Sequence, residues 1–244
     1  MIGDVAQIIT IASYGNEFLN NGLEKLDCRN HSSFCSIGDP VYKNGFDDHT
    51  KRLDTNQWYE YVKKQGCTQI RIFYNVVDPT KDGVLIHESI SWVLESVYDR
   101  YSDYWTYHLR YGSSGWWAKI EKSESHKSII NKQDDLVFRK DDLDEKLERL
   151  IEFSSQLAWG NWAKNFRDMK NILYSDSPTL PDFHKDLIVA KNYSLLARQV
   201  LYSAVSSWCF TGMGSWSDNG DFPEITRDLF FSVCNAYVAS VNSY

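Results

Sequence analysis

Apolar and polar positions along this chain fall into two textures, one on each side of a polar stretch from Glu121 to Asp144. In residues 4–20, apolar groups stand at Val5, Ile8, Ile9, Ala12 and Leu19, a helical spacing. The β-branched run Ile8-Ile9-Thr10-Ile11 suits a strand as well, so helix and strand both stay open there. Residues 28–54, broken by Gly, Pro, Asn and Asp, predict a long irregular segment. Thr55 is placed to cap a short helix that turns Trp58, Tyr61 and Val62 inward and ends at Gly66. Residues 68–77 alternate, with Ile70, Ile72, Tyr74 and Val76 on one face and Arg71 and Phe73 on the other, which predicts a strand. After the Asp78–Gly83 turn, Ile90, Val93, Leu94, Val97, Tyr98 and Tyr101 recur at helical spacing and predict a helix. Tyr104–Tyr111 and Trp116–Lys122 alternate on either side of Gly112-Ser113-Ser114-Gly115 and predict an antiparallel hairpin.

The second half reads as helical. Asp142 and Glu145 have the spacing of a capping box. Behind them Leu143, Leu147, Leu150, Ile151, Leu157, Trp162, Phe166 and Met169 form one apolar stripe, with a bend expected at Gly160 and a stop at Pro178 and Pro181. Leu187, Ala190, Leu196, Ala197, Val200, Leu201, Ala204 and Val205 mark a second long helix beginning at Asp182. Pro223 suits the first turn of a last helix, with Ile225, Leu229, Val233, Ala236 and Tyr237 inward. The fold class expected is α+β: a mixed α/β region over 1–133 with an antiparallel hairpin and a helical region over 134–244. The boundary falls near Gln133, and the two regions could also form one continuous domain.

Composition adds one unusual feature. Hydrophobic residues at 43% and charged residues at 24% are ordinary for a globular chain of 244 residues, but aromatic residues reach 15%. The net charge of -7 is spread over both halves, so neither is a basic module and nucleic-acid binding is not expected. No apolar run approaches the ~18 residues that would predict a membrane span. The opening Met1-Ile2-Gly3-Asp4 lacks a basic leader, and an odd count of 5 cysteines suits reduced thiols, so the expected location is the cytoplasm.

The chain lacks the glycine-rich phosphate loops, the nucleophile elbow and the zinc-protease helix. No catalytic residue is assigned and no cofactor is expected. Cys28, His31 and Cys35 are candidates for a metal, since thiolate and imidazole at short spacing can enclose zinc. The run from Tyr98 to Trp105 mixes rings with Asp99 and Asp103, a composition that suits a protein interface. Phe210–Gly220 lies between two predicted helices and could display Trp216 beside Asp218.

Within that loop, Gly212-Met213-Gly214-Ser215-Trp216-Ser217-Asp218 resembles a G-M-G-S-aromatic-[ND]-D signature of a bacterial domain family. Ser217 stands where that signature has Asn or Asp. An upstream helix with spaced leucines and a tryptophan is similar to Leu147, Leu150, Leu157 and Trp162 here. The resemblance covers residues 143–244. Members of this family look like immunity proteins encoded beside secreted polymorphic toxins, which implies a cytoplasmic protein that blocks a cognate toxin by occlusion. The surface expected to meet a partner comprises Asp99, Asp103, Trp105, Trp116, Trp117, Trp216 and Asp218, and its acidic members would suit a basic toxin domain. Two other readings compete. One is an enzyme with a cleft between the halves using His87, Glu88, Asp103 or His108. The other is a carbohydrate- or ligand-binding module on Trp105, Trp116 and Trp117.

Overall fold

A computed structural model describes residues 3–43, 52–81, 83–113, 115–123, 135–157, 161–210, 216 and 223–244. The fold is α+β: a mixed β-sheet formed by the first half and helices that dominate the second. The expected boundary at Gln133 and the bend at Gly160 lie outside the described residues.

The opening segment is a helix, α1 (Gly3–Asn20), and every residue from Val5 to Ser13 is buried. A helix enclosed on all sides has no polar stripe, which is why its spacing could not be told from a strand. Its polar side chains are instead paired internally. The Gln7 amide donates to the Gly38 carbonyl at 2.7 Å, and the Thr10 hydroxyl donates to the Leu187 carbonyl at 3.1 Å. Gly15 sits against the sheet so closely that a Cβ there would lie 2.5 Å from Ile70 Cδ1.

Within the segment expected to be irregular, a short strand β1 (Val41–Lys43) forms, and residues 44–51 lie outside the described residues. The cap of α2 (Thr55–Lys64) is Asp54 rather than Thr55. Asp54 accepts from the Gln57 amide at 2.8 Å while the Gln57 side chain accepts from the Asp54 N–H at 3.2 Å, a reciprocal capping box. The Thr55 hydroxyl is turned to Asp39. Gly66, at φ +86°, supplies the left-handed residue that follows the helix.

β2 (Gln69–Val76) forms as expected. The predicted helix over 90–101 is instead β3 (Ile90–Val97) followed by a turn in which the Tyr98 N–H donates to the Tyr101 carbonyl at 2.9 Å. β3 is a central strand, buried on both faces from Trp92 to Ser96, so its apolar positions lose the alternation that marks a half-buried strand. β4 (Ser102–Gly112) and β5 (Gly115–Lys122) make the predicted hairpin. The sheet order is β1-β5-β4-β3-β2, antiparallel throughout except for β1 beside β5. Ile70, Ile72, Leu94, Trp105, Tyr107, Ala118 and Ile120 lie on its buried face.

Both sheet edges are closed by specific contacts. At β2, Asn16 accepts from the Ile70 N–H at 2.7 Å and donates to the Ile70 carbonyl at 2.8 Å. Asn242 does the same for Ile72, at 2.8 and 2.9 Å. Each carboxamide thus imitates one residue of a neighbouring strand and removes a site for unwanted pairing. At the other edge, Tyr42 of β1 forms an antiparallel bridge with Leu53.

The second half is shorter in its elements than its stripes predicted. α3 (Leu136–Ser155) begins before Asp142 and is capped by Asp135. Asp142 is mid-helix, where its carboxylate accepts from the Ser232 hydroxyl at 2.6 Å. The single stripe resolves into α3 and α4 (Trp162–Ile172). No long helix starts at Asp182. Two 3-10 turns, Asp182–His184 and Ala190–Asn192, precede α5 (Leu195–Ser206), which Ser194 caps by accepting from the Ala197 N–H at 3.1 Å. Leu187 and Ile188 are buried because this stretch is tied to α1, not because it is helical. α6 (Pro223–Asn242) starts at its proline as expected and packs on β2, α3 and α5.

Candidate binding surface

Among the described residues, the ladder between β4 and β5 runs further than the ladders that join this hairpin to its neighbours. The β3–β4 ladder stops at Val93–Thr106 and the β1–β5 ladder at Val41–Lys119, whereas β4 and β5 stay paired from Trp105–Lys122 out to Gly112–Gly115. Its last pairs therefore form a two-stranded ribbon. Tyr111 faces Trp116 across the ribbon, with ring centroids 5.0 Å apart in an edge-to-face arrangement. Arg110 faces Trp117 on the opposite side. Tyr111 is 73%, Trp116 53% and Trp117 41% exposed. By strand register, exposed Val76 lies toward the same end of the sheet, and exposed Val77 follows it, its N–H donating to the Ser89 carbonyl at 2.7 Å. Rings presented this way have large apolar area and few torsions to freeze, which suits contact with another macromolecule.

Electrostatics favour the same end. Residues 107–118 contain no acidic side chain, although the whole chain carries a net charge of -7. Next to Trp117 on that face, Lys119 pairs with Glu121 at 2.6 Å, and His108 lies 3.7 Å from the same carboxylate. Burial pushes the His108 imidazole below its ordinary value, with Glu121 opposing.

The expected seven-residue surface does not assemble. Asp99 is fully exposed in the β3–β4 turn, 3.7 Å from Arg100, at the end of the hairpin away from Trp116. Asp103 is buried and paired with Lys122 at 2.8 Å. Trp105 is also buried, edge-to-face with Trp58 at 5.6 Å. Its place on the inner sheet face follows from alternation with Asp103 and Tyr107, and it breaks the three-tryptophan platform that a ligand module would have needed. Trp216 is a core anchor: its indole N–H donates to Thr226 Oγ1 at 3.0 Å, and Trp162 and Phe166 pack edge-on at 5.6 and 5.3 Å. Asp218 and most of the Gly212–Asp218 segment lie outside the described residues. Trp116 and Trp117 are thus the expected members that the structure leaves exposed near one another, on opposite faces of the ribbon. Tyr111 joins them and was missed, though its position at the mouth of the Gly112–Gly115 turn was a usable signal.

The metal candidates have other partners. His31 uses both ring nitrogens: Nδ1 accepts from the Ser33 N–H at 3.2 Å, and Nε2 donates to the Asp186 carbonyl at 2.7 Å. The Cys35 thiol donates to the His31 carbonyl at 3.4 Å. Cys28 lies beside Asp39 and Thr55, and burial followed by the Asp39 charge pushes its thiol up to about 12. No group of three or more His, Cys, Asp or Glu is placed to hold a metal among the described residues. Of the enzyme candidates, Asp103 and His108 occupy opposite faces of β4, roughly 17 Å apart along the strand, and Glu88 pairs with Lys81 at 3.3 Å.

In a second set of exposed apolar groups, Val137, Phe138 and Tyr174, the two rings are already engaged from within. Arg139 lies over the Phe138 ring at 5.3 Å and Lys140 over Tyr174 at 4.3 Å, while the Tyr174 hydroxyl donates to Asp144 at 2.8 Å. No helix among the described residues is long and apolar enough to cross a membrane. No family model, no curated protein and no solved structure matches this chain.

Proposed function

We propose that this chain is a non-catalytic protein-binding protein that presents the aromatic end of its β4–β5 ribbon to a partner. The observation that carries this reading is the exposure of three rings at the end of the β4–β5 hairpin, Tyr111 and Trp116 on one face and Trp117 on the other, with no acidic residue among residues 107–118. Within that class, the resemblance of Gly212–Asp218 points to an immunity protein acting in the cytoplasm on a toxin. Five free cysteines accord with a reducing compartment. The contact chemistry differs from the one read in the sequence. Asp99 and Asp103 stand away from the ribbon end, so the partner's matching patch is apolar with an acidic rim that suits Arg110.

The test is binding and protection together. The protein encoded immediately upstream of this chain's gene is expressed with and without the chain, and the complex is titrated by calorimetry. Protection, together with at least about a 30-fold weaker Kd for Trp116→Ser/Trp117→Ser, is the expected result, because anchoring rings typically contribute 2 kcal/mol or more. Absence of both complex and protection refutes the immunity reading. A complex indifferent to the ribbon variant refutes the assignment of the surface.

A further inference from the structure

We propose that Asn21-Gly22 is a site of spontaneous deamidation, and that the carboxylate formed there opens a polar clasp holding the end of α6 against α1. The proposal is independent of the ribbon surface. Three observations carry it.

The first is the dipeptide and its surroundings. Asn21 and Gly22 directly follow α1, and both are exposed. Among the described residues, the Gly22 N–H has no hydrogen-bond acceptor, so its nitrogen is free to react. Glycine brings no Cβ to shield that nitrogen, and no atom packs within 4 Å of where one would stand. Water is the only co-reactant needed. The Gly22 nitrogen gives its proton to solvent and attacks Asn21 Cγ. The new N–Cγ bond closes a succinimide, the Cγ–Nδ2 bond breaks, and ammonia leaves with a proton from solvent. Water then opens the ring at either carbonyl, leaving aspartate or isoaspartate at position 21.

The second is where the carboxamide is held. Its Nδ2 donates to Glu17 Oε2 at 2.7 Å and to the Tyr244 hydroxyl at 2.8 Å. Asn192 donates to the same Glu17 oxygen at 2.6 Å, and Lys191 pairs with Oε1 at 2.7 Å. Burial opposes a charge on Glu17, but Lys191, Asn21 and Asn192 together hold its pKa below the ordinary carboxylate range. Deamidation therefore replaces a donor with a second anion in contact with an ionised one, and like charges at that range repel. The third is what the clasp secures. The Tyr244 hydroxyl donates to the Asn16 carbonyl at 3.2 Å, and Asn242, in the same last turn, seals Ile72. A phenol has one proton to donate. Tyr244 can turn that proton to a carboxylate at position 21 only by releasing Asn16, so the end of α6 loses a tie either way.

Peptide mapping by mass spectrometry tests the reaction. The native chain is incubated in mildly alkaline buffer beside a urea-unfolded sample. The peptide containing Asn21 should gain one mass unit in both, split between aspartate and isoaspartate forms. The two rates should lie within about 10-fold of each other, a barrier difference below ~1.4 kcal/mol. A slower native reaction overturns the proposal. So does a gain that persists in Asn21→Gln, or one confined to the other Asn-Gly pairs at 44–45 and 219–220, which lie outside the described residues. Asn21→Asp, made directly, tests the clasp. Its thermal midpoint should fall by about 3 °C or more, and further than that of Asn21→Ala, which removes the donor without adding charge. Its Ile72 amide should exchange about 10-fold faster than in wild type. A midpoint no lower than that of Asn21→Ala, or unchanged exchange at Ile72, refutes the opening of the clasp.

Discussion

Removing the Asn16 carboxamide should destabilise the protein out of proportion to its size. Asn16 is fully buried and supplies both hydrogen bonds to the edge-facing backbone groups of Ile70, at 2.7 and 2.8 Å. Asn16→Ala leaves a buried N–H and a buried carbonyl without their partners. Each such group costs about 1–3 kcal/mol, and some relaxation or water entry recovers part, so a loss of about 2–4 kcal/mol is expected. That is a large share of the 5–15 kcal/mol typical of a folded chain. Urea unfolding followed at 222 nm measures it, provided the slope with denaturant is unchanged. Two companions separate the causes. Asn16→Leu keeps the packed volume but restores neither bond, so it should remain within about 1 kcal/mol of the alanine variant. Asn20→Ala, an exposed change one turn on, should fall within about 0.5 kcal/mol of wild type. If leucine recovers most of the loss, packing and not the strand-like pairing explains the site. If Asn16→Ala matches Asn20→Ala, the sealed edge contributes nothing measurable.

Trp216→Ala should cost about 3–5 kcal/mol by emptying the space between Trp162, Phe166 and Phe153, read by the same unfolding assay; a loss below about 1 kcal/mol would contradict its place as a core anchor. His31 gives a pH dependence with a definite sign. Burial, opposed by Asp186, holds its pKa below the ordinary 6.5, so the folded state takes up protons less readily than the unfolded chain. The stability present above pH 6.5 is lost as pH falls through the ordinary and then the depressed value. Melting temperatures between pH 7.5 and 5.5 should therefore decline less in His31→Gln than in wild type, measured beside His108→Gln because that imidazole is depressed too; parallel declines would show that His31 does not couple to folding. Thiol titration under native conditions should find Cys35 reacting first, Cys28 slowly, and Cys67, Cys209 and Cys234 only on unfolding. Fast reaction of two or more thiols would be inconsistent with this burial.

The sequence was most informative where one face of an element meets water. β2 and the β4–β5 hairpin were readable from alternation because they present polar groups outward at regular intervals, and α6 from its initial proline. β3 misled and α1 stayed ambiguous for one reason: both are enclosed, so neither has a polar face to mark its period. α3 was started late because Asp142 and Glu145 imitate a cap, whereas Asp135, within the polar stretch, performs it. The candidate surface divided along the same line. Trp116 and Trp117 were suspected because a short glycine-bounded turn leaves its flanks exposed. Trp105, a strand neighbour with the same composition around it, is buried because alternation puts it on the helix side of the sheet. Trp216, in a segment without periodicity, gave no local signal of its partners in α4 and α6.

The sealed edge of β2 also sets an order of events during synthesis. Asn16 precedes Ile70 by 54 residues and emerges before it, so one half of the seal can close as soon as the strand appears. Asn242 follows Ile72 by 170 residues, so the other half waits until almost all of this sequence has been translated. Until then, the Ile72 end of β2 stays open to any neighbouring nascent chain. A ribosome paused anywhere between the sheet and α6 would hold an aggregation-prone intermediate, and a fragment ending near residue 133 would make that intermediate permanent.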